Sequence, residues 1–223
     1  MEVYTSEEEQ IAAIKKWWKE NWLSLFGGVL IGVGILAGGK YWIDSKNFHS
    51  ESASVEYEAM IQSLARNQVE EAANRAASLL GQYADTPYAG LAALTMAKIK
   101  TDKDDLVAAK SHLRWAIDNV QQQEVKTEAQ IRLARILLAE GNLDEALQQV
   151  NSVQLAPYKA VMEELKGDIY VAKGDLTNAR TAYTLALAEL DQSTSSAAPR
   201  VRNFIQMKLD DLGEVSAPTG EAS

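Results

Sequence analysis

Between Asn21 and Gly39 the chain runs nineteen residues without a charge, NWLSLFGGVLIGVGILAGG. Coiled as an α-helix, that stretch extends about 28 Å, close to the ~30 Å hydrocarbon thickness of a bilayer. Trp17, Trp18 and Trp22 lie at one end, with Tyr41 and Trp42 at the other, where amphipathic rings favour the headgroup level. The pattern predicts one transmembrane helix over residues 21–43. A buried core helix would rarely lack charge for so long. A cleaved signal peptide could use Ala37-Gly38-Gly39, but such peptides start short and basic, and Glu7, Glu8 and Glu9 precede this run.

Six of the thirteen glycines fall between Gly27 and Gly39. Small residues four apart let a second helix approach closely in lipid; Gly28 and Gly32 lie on one stripe and Gly34 and Gly38 on another about 100° away, and these four are the candidate transmembrane packing positions. Orientation follows from cations near the membrane: Lys15, Lys16 and Lys19 precede the span, Lys40 and Lys46 follow it. That bias places residues 1–20 in the cytoplasm and the large remainder across the membrane. Within residues 1–20, Ser6 and Glu9 form a capping box, and Ile11, Ile14, Trp17 and Trp18 recur at helical spacing. They predict an amphipathic helix at the cytoplasmic interface that turns inward to enter the span, with a solvated lead-in as the alternative.

Beyond Lys46 stand 17 basic and 25 acidic residues, a net charge of −8, which argues against nucleic acid and anionic lipid as partners of the outer domain. Cysteine is absent, which removes disulfides, thiolate zinc sites and a cysteine nucleophile. His49 and His112 are the two histidines, too few for a His-rich metal site. Adjacent acids such as Glu163-Glu164, Asp104-Asp105 and Asp210-Asp211 diverge on a helix. No phosphate loop or dinucleotide fingerprint occurs. The expectation is a protein without catalytic residues, cofactor or metal.

From about Ser50 the sequence repeats. Leu137-Leu138-Ala139-Glu140-Gly141-Asn142-Leu143-Asp144-Glu145-Ala146 aligns with Tyr170-Val171-Ala172-Lys173-Gly174-Asp175-Leu176-Thr177-Asn178-Ala179. Weaker copies place Ala109 and Ala72 at the corresponding positions, so Ala72, Ala109, Ala146 and Ala179 are 37, 37 and 33 residues apart. Gly167, Tyr170, Gly174, Ala179, Tyr183 and Ala186 follow the small-aromatic-small pattern of a tetratricopeptide repeat. A turn glycine closes one helix, a small alanine lets the hairpin's two helices touch, and stacked hairpins share the core that none has alone. Residues 50–212 are therefore read as an all-α, tetratricopeptide-like solenoid; a plain irregular helical bundle is the alternative. Asp191 to Ser196 reads as a polar linker, and Ala198 to Leu212 as a capping helix with Val201, Phe204, Ile205, Leu209 and Leu212 apolar. Residues 213–223 are small and polar, the composition of a disordered tail.

A helical solenoid offers a groove lined by the first helix of each hairpin. The repeat register directs Leu94 and Lys98, then Ile131, Arg135 and Leu138, then Glu164, Asp168 and Val171 toward it. These are the candidate partner-binding residues, a mix suited to an extended peptide or a partner helix, with packing between helices the alternative for each of them.

The run Ile14-Lys15-Lys16-Trp17-Trp18-Lys19-Glu20-Asn21-Trp22, the glycine-rich span and the repeat domain together resemble the YfgM family, ancillary subunits of the bacterial SecYEG translocon. The resemblance covers essentially the whole chain. It implies a single-pass, type II protein of the bacterial inner membrane, with its N-terminus cytoplasmic and its repeat domain periplasmic. It also implies a role in passing unfolded exported proteins to periplasmic chaperones, association with the membrane-anchored chaperone PpiD, and a cytoplasmic segment acting on a stress-response regulator of the Rcs system. A structural organiser of the envelope or of cell division could use similar repeats, and is the alternative.

Overall fold

The computed structural model describes residues 7–153, 155–191 and 198–213, and every regular element among them is helical. Its contacts divide the chain into two compact units, residues 1–52 and 53–223. The Ser6–Glu9 capping box, most of the Asp191–Ser196 linker and the tail after Gly213 lie outside the described residues.

Helix α1 runs from Glu7 to Ala65. The expected turn inward near residue 20 is absent. No proline interrupts the helix, and isolated glycines weaken a helix without ending it. Within the first unit, Leu23, Leu30, Ile35 and Leu36 are exposed, as are Trp17, Trp18, Tyr41 and Trp42. The helix is long and apolar enough to cross a membrane. The side-chain amide of Asn21 donates to the Trp17 carbonyl at 2.9 Å, so this polar group is satisfied within the helix. Trp22 meets Phe26 edge-on at 6.1 Å, and the Lys46 ammonium stands 5.5 Å from the centre of the Trp42 ring. Gly28, Gly32, Gly34 and Gly38 have open space where a Cβ would lie.

The second unit is a stack of helical hairpins. Ala53–Ala65 of α1 pairs with α2 (Val69–Gln82), α3 (Pro87–Asp102) with α4 (Leu106–Asn119), α5 (Gln123–Ala139) with α6 (Leu143–Asn151), and α7 (Lys159–Ala172) with α8 (Leu176–Asp191). A 3₁₀ turn, Ala156–Tyr158, leads into α7, and α9 (Ala198–Asp211) packs on α8.

Four turns share one geometry. Asn67, Asp104, Gly141 and Gly174 have φ of 57°, 61°, 78° and 76°. After each of them, one backbone N–H reaches back to a carbonyl five residues earlier: Gln68 to Ser63, Asp105 to Lys100, Asn142 to Leu137 and Asp175 to Tyr170, at 2.8–2.9 Å. This is the Schellman closure, and it needs one left-handed residue. The two earlier turns reach it without glycine, because Asn and Asp tolerate that region better than other side chains. Asp105 and Asp175 then cap the next helix, accepting from the Ala108 and Asn178 N–H groups at 3.1 Å. Five residues after each turn residue comes an alanine. Ala72, Ala109, Ala146 and Ala179 are all 0 % exposed, as the close-contact reading requires.

A second regularity concerns volume. Seven residues before and nine after each turn residue stand Met60 and Ala76, Ala97 and Leu113, Ala134 and Val150, Gly167 and Tyr183, all buried. Where one member is large its mate is small, which keeps the hairpin spacing constant at interior packing density. The extreme case is Gly167: a Cβ there would lie 2.3 Å from Tyr183 Cε1. At the C-terminal end, α9 seals the stack by burying Ile205 against Tyr183, Ala186 and Leu187, with Val201, Leu209 and Leu212 around it. Phe204 stays half-exposed, on a different face from the buried stripe.

Candidate functional site

The first helices of successive hairpins lie side by side, α3 against α5 and α5 against α7, so side chains six residues before each turn residue project from one layer. Those positions are Ile61, Lys98, Arg135 and Asp168. Two cavities open along this layer. One, about 310 Å³, is lined by Arg135, Leu138, Glu164, Asp168, Phe204 and Lys208, with Leu165 at its back. The other, about 420 Å³, has Ala97, Leu113 and Ile136 as apolar lining, with Lys98, Arg132 and Arg135 among its charged groups.

Of the eight groove residues expected from the sequence, five line these cavities. Arg135, Leu138, Glu164 and Asp168 share the first, while Lys98 and Arg135 line the second. Val171 is exposed but lines neither of them. Leu94 and Ile131 are only 8 % and 3 % exposed and belong to the central core. They sit ten residues before the turn, where adjacent first helices touch, so packing takes them from any partner.

The acidic pair on α7 is occupied. Lys208 Nζ of α9 donates to Glu164 Oε1 at 2.8 Å and to Asp168 Oδ1 and Oδ2 at 2.8 and 2.7 Å. Tyr183 Oη donates to the same Asp168 Oδ1 at 2.7 Å. Burial first, then that bond, push the Tyr183 phenol well above its ordinary range, which holds it protonated as a donor. The Lys208 ammonium also stands 4.6 Å from the Phe204 ring centre, within cation–π reach. The capping helix thus closes one end of the groove through a half-buried ion cluster.

Lys208 escaped the sequence reading, which sets Phe204 among the apolar positions of the capping helix rather than at the groove. Their signal is the i, i+4 spacing, which sets them on one face of α9 while Ile205 and Leu209 define the other. Arg132 also escaped it. Its Nε donates to Glu128 at 2.7 Å, and its Nη1 to the Leu94 carbonyl at 3.3 Å, tying α5 to α3. Arg135 is exposed and has no hydrogen bond or ion pair among the described residues. Among those residues no group of three or more acids or histidines is gathered to hold a metal ion. The arrangement sets apolar surface beside fixed charges.

Residues 15–214 match the family model of the tetratricopeptide repeat-like domain. The fold and its groove define the class: a repeat protein of that kind, led by a helix long and apolar enough to span a membrane. An ancillary SecYEG translocon subunit of Haemophilus influenzae is 31 % identical over 210 residues, covering 94 % of this chain and 99 % of that one. Proteins of the same description from Escherichia coli and Neisseria gonorrhoeae are each 27 % identical, over 95 % of this chain and 99 % and 100 % of theirs. The chain belongs to the family of ancillary SecYEG translocon subunits. No solved structure matches it.

Proposed function

We propose that this protein is a non-enzymatic, membrane-anchored scaffold of the Sec translocon whose repeat groove holds segments of other proteins. The observation that carries the reading is the layer formed by α3, α5 and α7, with two cavities that pair apolar seats with fixed charge. Its relatives' shared description supplies the translocon as the assembly it serves. In this reading the N-terminal segment is cytoplasmic and the repeat domain periplasmic, in the bacterial inner membrane, as the Lys15, Lys16 and Lys19 flank favours. The groove receives unfolded exported proteins and passes them to periplasmic chaperones, with PpiD as a membrane-anchored partner. The segment before the span acts on an Rcs-type regulator. Gly28 and Gly32 on one stripe, and Gly34 and Gly38 on a second, have nothing within 4 Å of an added Cβ and give the span surfaces on which a partner helix can pack.

Copurification of the full chain from mild detergent tests this, in parallel with a Gly28→Leu, Gly32→Leu double variant. The expected result is recovery of translocon and PpiD-type chaperone subunits, reduced in the variant at equal expression. Recovery of division or peptidoglycan-assembly proteins instead would refute the translocon reading. Equal recovery by both forms would mean that the glycine face is not used. Protease added to spheroplasts should remove the repeat domain and spare the N-terminal segment; protection of the repeat domain would reverse the orientation.

A further inference from the structure

The groove reading leaves open what kind of segment is held, and the pairing of charges along the groove answers it. Counted over both cavities, the cations Lys98, Arg132, Arg135 and Lys208 balance the acids Asp102, Glu128, Glu164 and Asp168. The imbalance lies in the bonds. Lys98 holds Asp102 at 2.6 Å, Arg132 holds Glu128 at 2.7 Å, and Lys208 serves Glu164 and Asp168 together. Each acid therefore has its cation, and Arg135 is left over. Arg135 lines both cavities, exposed and without a hydrogen bond or ion pair among the described residues.

A guanidinium presents five donors in a rigid plane, a shape that a carboxylate meets with two parallel bonds. Around the larger cavity the three cations outnumber the two acids, on a domain whose overall charge is −8. That local excess favours an incoming negative group, which the rest of the surface repels. Beside it, the half-buried Ile136 gives an apolar wall, with the buried Ala97 and Leu113 at its back, in a space of about 420 Å³. The Lys98–Asp102 pair at its rim is well exposed and so weak enough to exchange partners.

Resting on the groove reading above, we propose that the protein selects partner segments in which an internal Asp or Glu lies next to a large apolar residue. The carboxylate bonds to Arg135 and the apolar side chain seats on Ile136, in the cavity backed by Ala97 and Leu113. A basic segment is disfavoured, because it would set a like charge against Arg135. The occupant is thus an acidic-apolar stretch of protein chain, bound through its side chains.

The test uses the full chain in lipid nanodiscs, with empty discs subtracted, and fluorescent peptide mixtures, acetylated and amidated at their ends. Each mixture carries Glu, Gln or Lys at its centre, with flanks drawn from Leu, Ile, Val, Phe, Ala and Ser. The Glu mixture is expected to bind about tenfold more tightly than the Gln mixture at low salt. The Lys mixture should bind more weakly still. Arg135→Gln should erase the preference for Glu while leaving the circular dichroism unchanged, and Arg135→Lys should keep part of it. Equal binding of all three mixtures overturns this inference and leaves the groove reading standing. A Glu preference that survives in Arg135→Gln overturns it as well. A further Gln mixture with a free C-terminal carboxylate that matches the Glu mixture would overturn the internal side-chain assignment. No binding above empty discs by any mixture would sink both readings.

Discussion

Gly167→Ala probes the repeat register at its tightest point. The added Cβ would stand 2.3 Å from Tyr183 Cε1 and 2.4 Å from Cδ1, distances that real contacts do not reach. The ring cannot swing aside cheaply, because it is buried and its hydroxyl is held by Asp168 at 2.7 Å. Overpacking of this kind costs about 1–3 kcal/mol. Against it runs the helix preference for alanine, worth about 1 kcal/mol over glycine. Gly81 near the end of α2 supplies the control, since nothing stands within 4 Å of its added Cβ. Gly81→Ala should therefore stabilise slightly and Gly167→Ala should not, a split of about 1–3 kcal/mol between them. The sign should reverse in a Tyr183→Leu background, which recreates the Ala97–Leu113 pairing of the second hairpin: there Gly167→Ala should be neutral or stabilising. Urea unfolding of the full chain in detergent micelles, followed by far-ultraviolet circular dichroism, gives the four values of the cycle. If Gly167→Ala changes stability by the same amount in both backgrounds, the two residues are not coupled and the size-matching argument fails.

Ala179→Leu should destabilise by about 1–3 kcal/mol, because Ala179 is fully buried where α7 and α8 touch; an unchanged melting temperature would mean the register is wrong. Lys208→Met keeps the aliphatic stem but leaves Glu164 and Asp168 without their cation; at side-chain exposures of 16 % and 27 % the loss should be about 1–2 kcal/mol. Faster amide exchange should appear first in α9, and unchanged protection there would show that the ion cluster does not hold the cap. Burial first, then the neighbouring Lys100, hold the His112 imidazole below its ordinary pKa of 6.5, with Asp105 opposing them. The unfolded chain then binds a proton that the folded one refuses, so stability should fall as pH drops below about 6.5. His112→Gln should flatten that slope, read from urea midpoints at neutral and mildly acidic pH; an identical slope would remove His112 as its source.

Much of this protein follows from near-neighbour rules. A nineteen-residue uncharged run has few stable forms other than a spanning helix, and low proline content with abundant Ala, Leu, Glu and Gln favours helix through the rest. The alanine spacing of 37, 37 and 33 gave the four hairpins in the correct register, since a close-contact position tolerates little else. Turns at Asn67 and Asp104 were harder to see than those at Gly141 and Gly174, because a left-handed Asn or Asp leaves a weaker mark than glycine. Which groove candidates face outward depended on contacts between repeats. The position six before the turn projects Lys98, Arg135 and Asp168 into the cavities, whereas the one ten before is buried in Leu94 and Ile131. Periodicity alone cannot separate two positions one helical turn apart when each is apolar in some repeats and charged in others. Lys208 meets Glu164 and Asp168 across 44 and 40 residues, a pairing set by where α9 docks on the last hairpin. The sequence by itself determined the span, the helices and the rhythm of the repeats, because these rest on hydropathy and backbone rules acting within about one turn. Only the tertiary structure decided which charges are already matched and left Arg135 without a partner, because pairing depends on distances between helices that no local rule encodes.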